Sequence, residues 1–202
     1  MHHRISGVYA ITPDPGLILR DVESAMKAGI SVLQYRNKTN DSASRKREAT
    51  ELRVLCRQYG TMFIVNDDIQ LAKDVDADGV HLGRGDASYE QARAFLGSKI
   101  IGISCYNQLD LAIGAEKLGA DYVAFGSFFP SSTKPNAVPA DIGLLMQAKQ
   151  IIKLPIVAIG GITTGNGKQL VRNGADALAV INGIFSADDV FSRVKSYQEL
   201  FA

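Results

Sequence analysis

Cysteine is scarce in this chain of 202 residues, with only Cys56 and Cys105 present. The two lie far apart, without the close spacing of a metal-ligand pair, so a cysteine zinc site is excluded. Both read as free, buried or half-buried thiols, which suits a cytosolic protein better than a disulfide-bonded one. Charge of one sign is also missing. Lys plus Arg number 22 against 21 Asp plus Glu, a net charge of +1. No basic excess points to nucleic acid, and no acidic block suggests a disordered tail. No apolar run approaches the ~18 residues of a membrane span, and no apolar signal region is visible near Met1. The expectation is a cytoplasmic protein that handles small molecules, with neither nucleic acid nor membrane as a partner. Its oligomeric state is left open, a homo-oligomer included.

What the chain does have is 46% hydrophobic residues, arranged in short runs. Eight of these are Gly7–Thr12, Ser31–Arg36, Met62–Asn66, Gly79–Gly83, Ile100–Ser104, Tyr122–Phe128, Pro155–Gly161 and Ala177–Gly183. Each is nearly continuous in apolar residues, the mark of strands covered on both faces in a parallel sheet. Helical segments lie between and after them: Leu19–Ala28, Ser42–Tyr59, Ile69–Asp74, Ser88–Leu96, Gln108–Leu118, Asp141–Ile152, Thr164–Asn173 and Asp188–Phe201. Asp41 or Ser42, Ser88, Asp141 and Thr164 read as N-caps, and Gly29, Gly97, Gly119 and Gly174 as helix stops. A faint repeat recurs before strands: Gly119-Ala120-Asp121, Gly174-Ala175-Asp176 and, in a variant, Ala77-Asp78-Gly79. Eight strands alternating with eight helices predict an α/β fold, a single (β/α)8 TIM barrel with short loops. That barrel spans residues 1–202 as one catalytic domain. A doubly wound open sheet is the alternative.

In such a barrel the active site lies where strands end, and the unusual polar residues are there. After the second strand come Gln34-Tyr35-Arg36-Asn37-Lys38, where Arg36 and Lys38 are alternate residues able to face one diphosphate. A structural ion pair with Asp41 or another acid is the competing account. Asp67 and Asp86 follow neighbouring strands, and two carboxylates there suit Mg²⁺, which keeps several waters and bridges to phosphate oxygens. Asp68 reads equally as the acid at the start of the short helix. His81, within the fourth strand, reads as a core histidine rather than a ligand or base. After the sixth strand, Ser131-Ser132-Thr133-Lys134 has the composition of an anion-gripping loop. Gly160-Gly161 after the seventh strand and Gly183 after the eighth let backbone N–H groups approach a phosphate.

Together these motifs resemble the thiamine-phosphate synthase (thiamine-phosphate pyrophosphorylase) family, from Tyr9 to Phe185. The specific parts are Gln34 through Lys38, Asn66-Asp67-Asp68, Asp78-Gly79-Val80-His81-Leu82-Gly83 with Asp86, and Ser131 through Lys134. The resemblance implies a transferase that joins 4-amino-2-methyl-5-(diphosphooxymethyl)pyrimidine to 4-methyl-5-(2-phosphooxyethyl)thiazole, releasing pyrophosphate. It implies that Gln34, Tyr35, Arg36, Asn37, Lys38 and Asn66 hold the pyrimidine diphosphate, with Ser104 and Lys134. Asp67 and Asp86 would bind Mg²⁺. Ser131, Ser132, Thr133, Gly161, Ile181 and Asn182 would bind the thiazole phosphate. Arg36, Lys38 and Lys134 would stabilise the departing diphosphate. Arg84, Tyr106, Ser127, Ser131 and Asn182 depart from the commonest family pattern. Two other readings compete: a barrel that binds or isomerises thiazole phosphate without forming thiamine phosphate, and a non-enzymatic sensor or scaffold.

Overall fold

The computed structural model describes residues 5–14, 17–39, 41–131 and 138–202. Eight parallel strands close into a barrel in the order of the chain: β1 (Gly7–Ile11), β2 (Val32–Tyr35), β3 (Met62–Asn66), β4 (Gly79–Leu82), β5 (Ile100–Tyr106), β6 (Tyr122–Phe125), β7 (Ile156–Ile159) and β8 (Ala177–Val180). The helices α1 (Leu19–Ala28), α2 (Ser42–Tyr59), α3 (Ile69–Asp74), α4 (Tyr89–Leu96), α5 (Leu109–Leu118), α6 (Gly143–Ile151), α7 (Gly167–Arg172), α8 (Asn182–Phe185) and α9 (Val190–Gln198) follow the strands. The closed barrel settles the choice against an open sheet. It also adds α8, a single turn directly after β8, where the sequence reading has the end of a strand. The predicted strand after Tyr122 is too long as well: β6 stops at Phe125 because the chain turns at Gly126 to pack on β7.

Alternation along each strand separates two cores. Tyr9, Ile11, Val32, Met62, Ile64, Tyr122, Ala124, Val157, Ala177 and Ala179 fill the barrel interior. Val8, Ala10, Leu33, Phe63, Val65, Val80, Ile101, Val123 and Leu178 face the helices. Helix α1 shows how the outer layer is fixed. Val22, Ala25 and Met26 are buried along one face, and Gly29, at φ 96°, stops the helix with its N–H on the carbonyls of Ala25 and Met26. Asp41 and Ser88 cap α2 and α4 through their side chains. Asp141, read as the α6 cap, lies one residue early: the N-cap is Ile142, without a side-chain cap bond, although the Asp141 carboxylate does accept from Gly143 N at 2.7 Å. Thr164 caps nothing. Helix α7 opens at Gly167, after an Asn166 whose side chain accepts from Thr163 N instead.

The repeated aspartate has a specific task at the closed end of the barrel. Asp78, Asp121 and Asp176 precede β4, β6 and β8, and each carboxylate accepts an amide from the first or second residue of the preceding odd-numbered strand. The acceptor distances are 2.8 Å from Phe63 N, 2.8 Å from Ile101 N and 2.9 Å from Ile156 N. Each also pairs with a cation from the last-but-one helix before it: Arg53 of α2, Arg93 of α4 and Lys149 of α6 respectively. Asp176→Ala strands the buried Ile156 N–H and leaves Lys149 unpaired. A loss of about 1–3 kcal/mol follows, read as a lower urea midpoint with kcat unchanged, since this end carries stability rather than chemistry.

Candidate active site

The C-terminal ends of the strands surround a cavity of about 620 Å³. Its floor is polar although the barrel interior beneath it is hydrocarbon. Gln34 Nε2 donates to the Tyr9 hydroxyl at 2.8 Å, and the Tyr9 and Tyr122 hydroxyls are 2.8 Å apart. Tyr122 Oη lies 2.9 Å from His81 Nδ1, and His81 Nε2 lies 2.8 Å from Ser104 Oγ. The His81 ring also stacks on Tyr122, with centroids 5.5 Å apart. Gly102 makes this possible, because a Cβ there would lie 2.0 Å from the Tyr122 ring. Burial pushes both phenols far above the ordinary tyrosine range, so they are neutral hydrogen-bonding groups. His81 is therefore half-buried and lines the cavity, where the sequence reading made it a core residue.

The β2 end divides by alternation. Gln34 and Arg36 line the cavity, and Lys38 reaches Asp67 across the rim. Tyr35 and Asn37 face the other way: the Tyr35 hydroxyl donates to Glu48 of α2 at 2.7 Å and Asn37 Nδ2 to the same carboxylate at 3.0 Å. Their side chains brace the segment from behind instead of entering the cavity. Two residues before α1 fix the path of this segment. Thr12 Oγ1 accepts Arg36 N at 2.8 Å and donates to Arg36 O at 3.1 Å. Asp14 accepts Lys38 N at 2.5 Å and lies 3.6 Å from the Arg36 guanidinium. Asp41, the partner weighed for these cations, is occupied as the α2 cap.

Asp67 and Asp86 come together beside the cavity. Asp67 adopts φ 65°, a left-handed conformation that aspartate tolerates better than most residues. Burial raises its pKa, but hydrogen bonding to Lys38 and to Asp86 outweighs this and leaves it below the usual carboxylate range. The Asp86 pKa is raised by burial and then by Asp67, with the Gly83 N–H at 2.6 Å as partial compensation. A paired carboxylate whose ionisation is made costly by burial and by an ionised neighbour forms, with that neighbour, a site that favours a cation. Among the described residues no group of three or more His, Cys, Asp or Glu side chains is placed to hold a metal. A pair of oxygen ligands fits an ion that keeps waters and takes its remaining oxygens from substrate. Asp68 caps α3 and pairs with Arg45 at 2.7 Å. Arg84 and Tyr106 also act together: the Tyr106 hydroxyl accepts Arg84 N at 2.9 Å while the guanidinium lies over its ring at 5.2 Å.

Across the cavity, the segment after β6 is laced to the end of β7. Phe128 N and Phe129 N donate to Ile159 O and Gly160 O, each at 3.1 Å. Gly160 and Gly161 both have positive φ, and a Cβ on Gly161 would lie 2.3 Å from Pro130 O. Gly160, Gly161, Ile181, Asn182 and Gly183 line this side, with Ser131. Ser132, Thr133 and Lys134 lie outside the described residues. Glycines on this wall let backbone amides reach its surface beside Ser131 and Asn182, the setting in which a barrel takes a phosphate.

A family model described as thiamine monophosphate synthase matches residues 8–184. The chain belongs to this family. A thiamine-phosphate synthase of Thiobacillus denitrificans is 52% identical over 200 residues, covering 97% of this chain and 95% of that protein. One from Azoarcus is 48% identical over 206 residues, with both chains covered completely. Among solved structures, thiamine phosphate pyrophosphorylase from Pyrococcus furiosus superposes with a TM-score of 0.91 at 33% identity, covering 98% of this chain and 96% of that one. A 3-hexulose-6-phosphate synthase at 14% identity and TM-score 0.68 shares the fold alone.

Within this thiamine monophosphate synthase family member, the sequence reading missed Thr12, Asp14, Tyr9 and Tyr122. Thr12 ends the first predicted strand and Asp14 lies two residues beyond it, but nothing local says that they serve a segment 24 residues away. Tyr9 and Tyr122 sit in apolar runs where tyrosine passes for core.

Proposed function

We propose that this protein condenses 4-amino-2-methyl-5-(diphosphooxymethyl)pyrimidine with 4-methyl-5-(2-phosphooxyethyl)thiazole to give thiamine phosphate and pyrophosphate. The observation that carries the reading is the division of the cavity. Cations and a carboxylate pair stand on one side, at Arg36, Lys38, Asp67 and Asp86, and a glycine-lined wall stands on the other, at Gly160, Gly161 and Gly183. One side suits a diphosphate, the other a monophosphate, with a polar floor between them for a heteroaromatic ring. The catalytic unit is the whole barrel, residues 1–202, working in the cytoplasm on small phosphorylated substrates with no nucleic-acid or membrane partner.

The chemistry needs no protein nucleophile. The bond from the pyrimidine methylene to the diphosphate oxygen breaks, both electrons leaving with pyrophosphate, and the amino-substituted ring stabilises the resulting cation. The thiazole nitrogen then supplies the pair that forms the new bond. Arg36, Lys38 and Lys134 hold the diphosphate and balance its growing charge. Gln34, Asn66 and Ser104 orient the pyrimidine, while Tyr35 and Asn37 support the Arg36–Lys38 segment through Glu48. Ser131, Ser132, Thr133, Gly161, Ile181 and Asn182 hold the thiazole phosphate so that its nitrogen faces the methylene. Asp67 and Asp86 are the residues that would hold Mg²⁺, which supplies further neutralisation of the diphosphate when bound.

The deciding experiment incubates pure protein with both substrates, with and without Mg²⁺, and assays for thiamine phosphate. No product in the presence of Mg²⁺ would sink the reading, and binding of thiazole phosphate alone would support the non-synthase alternative. Lys134→Ala lowers kcat by about 10²–10³-fold if it stabilises the departing pyrophosphate. An unchanged kcat with a raised KM for the pyrimidine would assign it to ground-state binding only.

A further inference from the structure

The hydrogen bonds across the cavity floor link five residues of five strands, and their direction is determined by what each group can donate. Tyr9 is 1% exposed and its oxygen already accepts from Gln34 Nε2. Its own proton therefore needs an acceptor inside the barrel. Ile11, Val32, Ile64 and Ala179 of the same cluster offer none, whereas the Tyr122 oxygen lies 2.8 Å away. A buried hydroxyl that donates to nothing is strongly disfavoured. With Tyr9 donating to Tyr122, the Tyr122 proton goes on to His81 Nδ1. A neutral imidazole with an accepting Nδ1 carries its hydrogen on Nε2, and that hydrogen meets Ser104 Oγ.

We infer that Gln34, Tyr9, Tyr122, His81 and Ser104 form a one-directional hydrogen-bond chain that holds His81 as the Nε2–H tautomer and makes the Ser104 hydroxyl a donor to the ligand. Ser104 oxygen takes the His81 hydrogen, so its own hydrogen is left for the contents of the cavity it lines. In the opposite direction Ser104 would give its hydrogen to His81 and present lone pairs only. A donor matches the acceptor nitrogen of an aminopyrimidine ring. Tyr9, Tyr122 and His81 are thus positioning residues, acting through Ser104. The identity of the ligand rests on the proposed reaction, but the direction of the chain belongs to the free protein.

Long-range ¹H–¹⁵N correlation spectra of the ¹⁵N-labelled free protein read the tautomer directly. The chain has three histidines, and a His81→Gln sample identifies the signals of His81. The expected pattern is a protonated Nε2 with a bare Nδ1. Gln34→Glu keeps the shape but puts an accepting carboxylate beneath Tyr9, so it reverses the pattern to a protonated Nδ1. Tyr122→Phe cuts the chain while keeping the ring. It gives a mixture of tautomers and raises KM for the pyrimidine diphosphate about tenfold, roughly the worth of one hydrogen bond. KM for the thiazole phosphate stays where it was, which general loosening of the barrel would not allow. A wild-type Nδ1–H or doubly protonated ring overturns the inference, as does an unreversed pattern in Gln34→Glu or an unchanged pyrimidine KM in Tyr122→Phe. Because the spectra need no substrate, failure to form thiamine phosphate would remove the proposed reaction and leave the direction of the chain intact.

Discussion

Asp67→Asn and Asp86→Asn each lower kcat by about 10²–10³-fold at ordinary Mg²⁺, the cost of one lost contact to a developing charge. The two variants do so from different positions. Asp67 is the partner of Lys38, so its loss frees that ammonium as well as removing a ligand oxygen. Asp86 accepts the Gly83 N–H, a bond that an asparagine oxygen can keep, so Asp86→Asn removes charge with little disturbance of the loop. Removing either carboxylate also ends the repulsion between them and weakens the site for a divalent cation. Titration of activity with Mg²⁺, beside circular dichroism to show an intact barrel, checks this. Near-normal turnover in either variant would take that residue out of the site.

Gly161→Val is the most damaging single change expected on the opposite wall. Its φ of 59° disfavours any side chain, and a Cβ would lie 2.3 Å from Pro130 O and 2.7 Å from Phe129 O. These are backbone atoms of a segment tied to the end of β7 through Phe128 N and Phe129 N, and Phe129 O also accepts from Ser127 Oγ, so they have little freedom to swing aside. A β-branched residue forced into this region costs about 1–3 kcal/mol in backbone strain alone, before the overlap is relieved. The glycine therefore seats the segment after β6 against β7, and the wall offered to the thiazole phosphate depends on that seating. A lowered Tm together with a KM for thiazole phosphate raised more than tenfold is the expected pair of results. Asn182→Ser, whose backbone path is kept open by Gly183, leaves that KM within about threefold, or roughly 0.6 kcal/mol. The reverse ranking would place recognition in the Asn182 side chain and overturn the backbone account.

The alternation of buried strands and helices was legible without coordinates because a parallel strand covered on both faces is apolar throughout. Helix α1, α2 and α3 fall on their expected residues, since caps and stops are local chemistry. The same locality brought Arg36, Lys38, Asp67, Asp86 and Gly161 to the strand ends. The facing of Tyr35 and Asn37 is different in kind. They share a motif with Arg36 and Lys38, yet Glu48 on α2 claims both, and only the packed barrel shows that helix against β2. Tyr9 and Tyr122 stand 113 residues apart and meet because closure of eight strands carries their hydroxyls to one point. Sequence determined the period, the ends of the elements and the chemical groups placed there. Tertiary structure decided which of those groups share a cavity, because barrel closure and strand register bring together residues between which the chain carries no local signal.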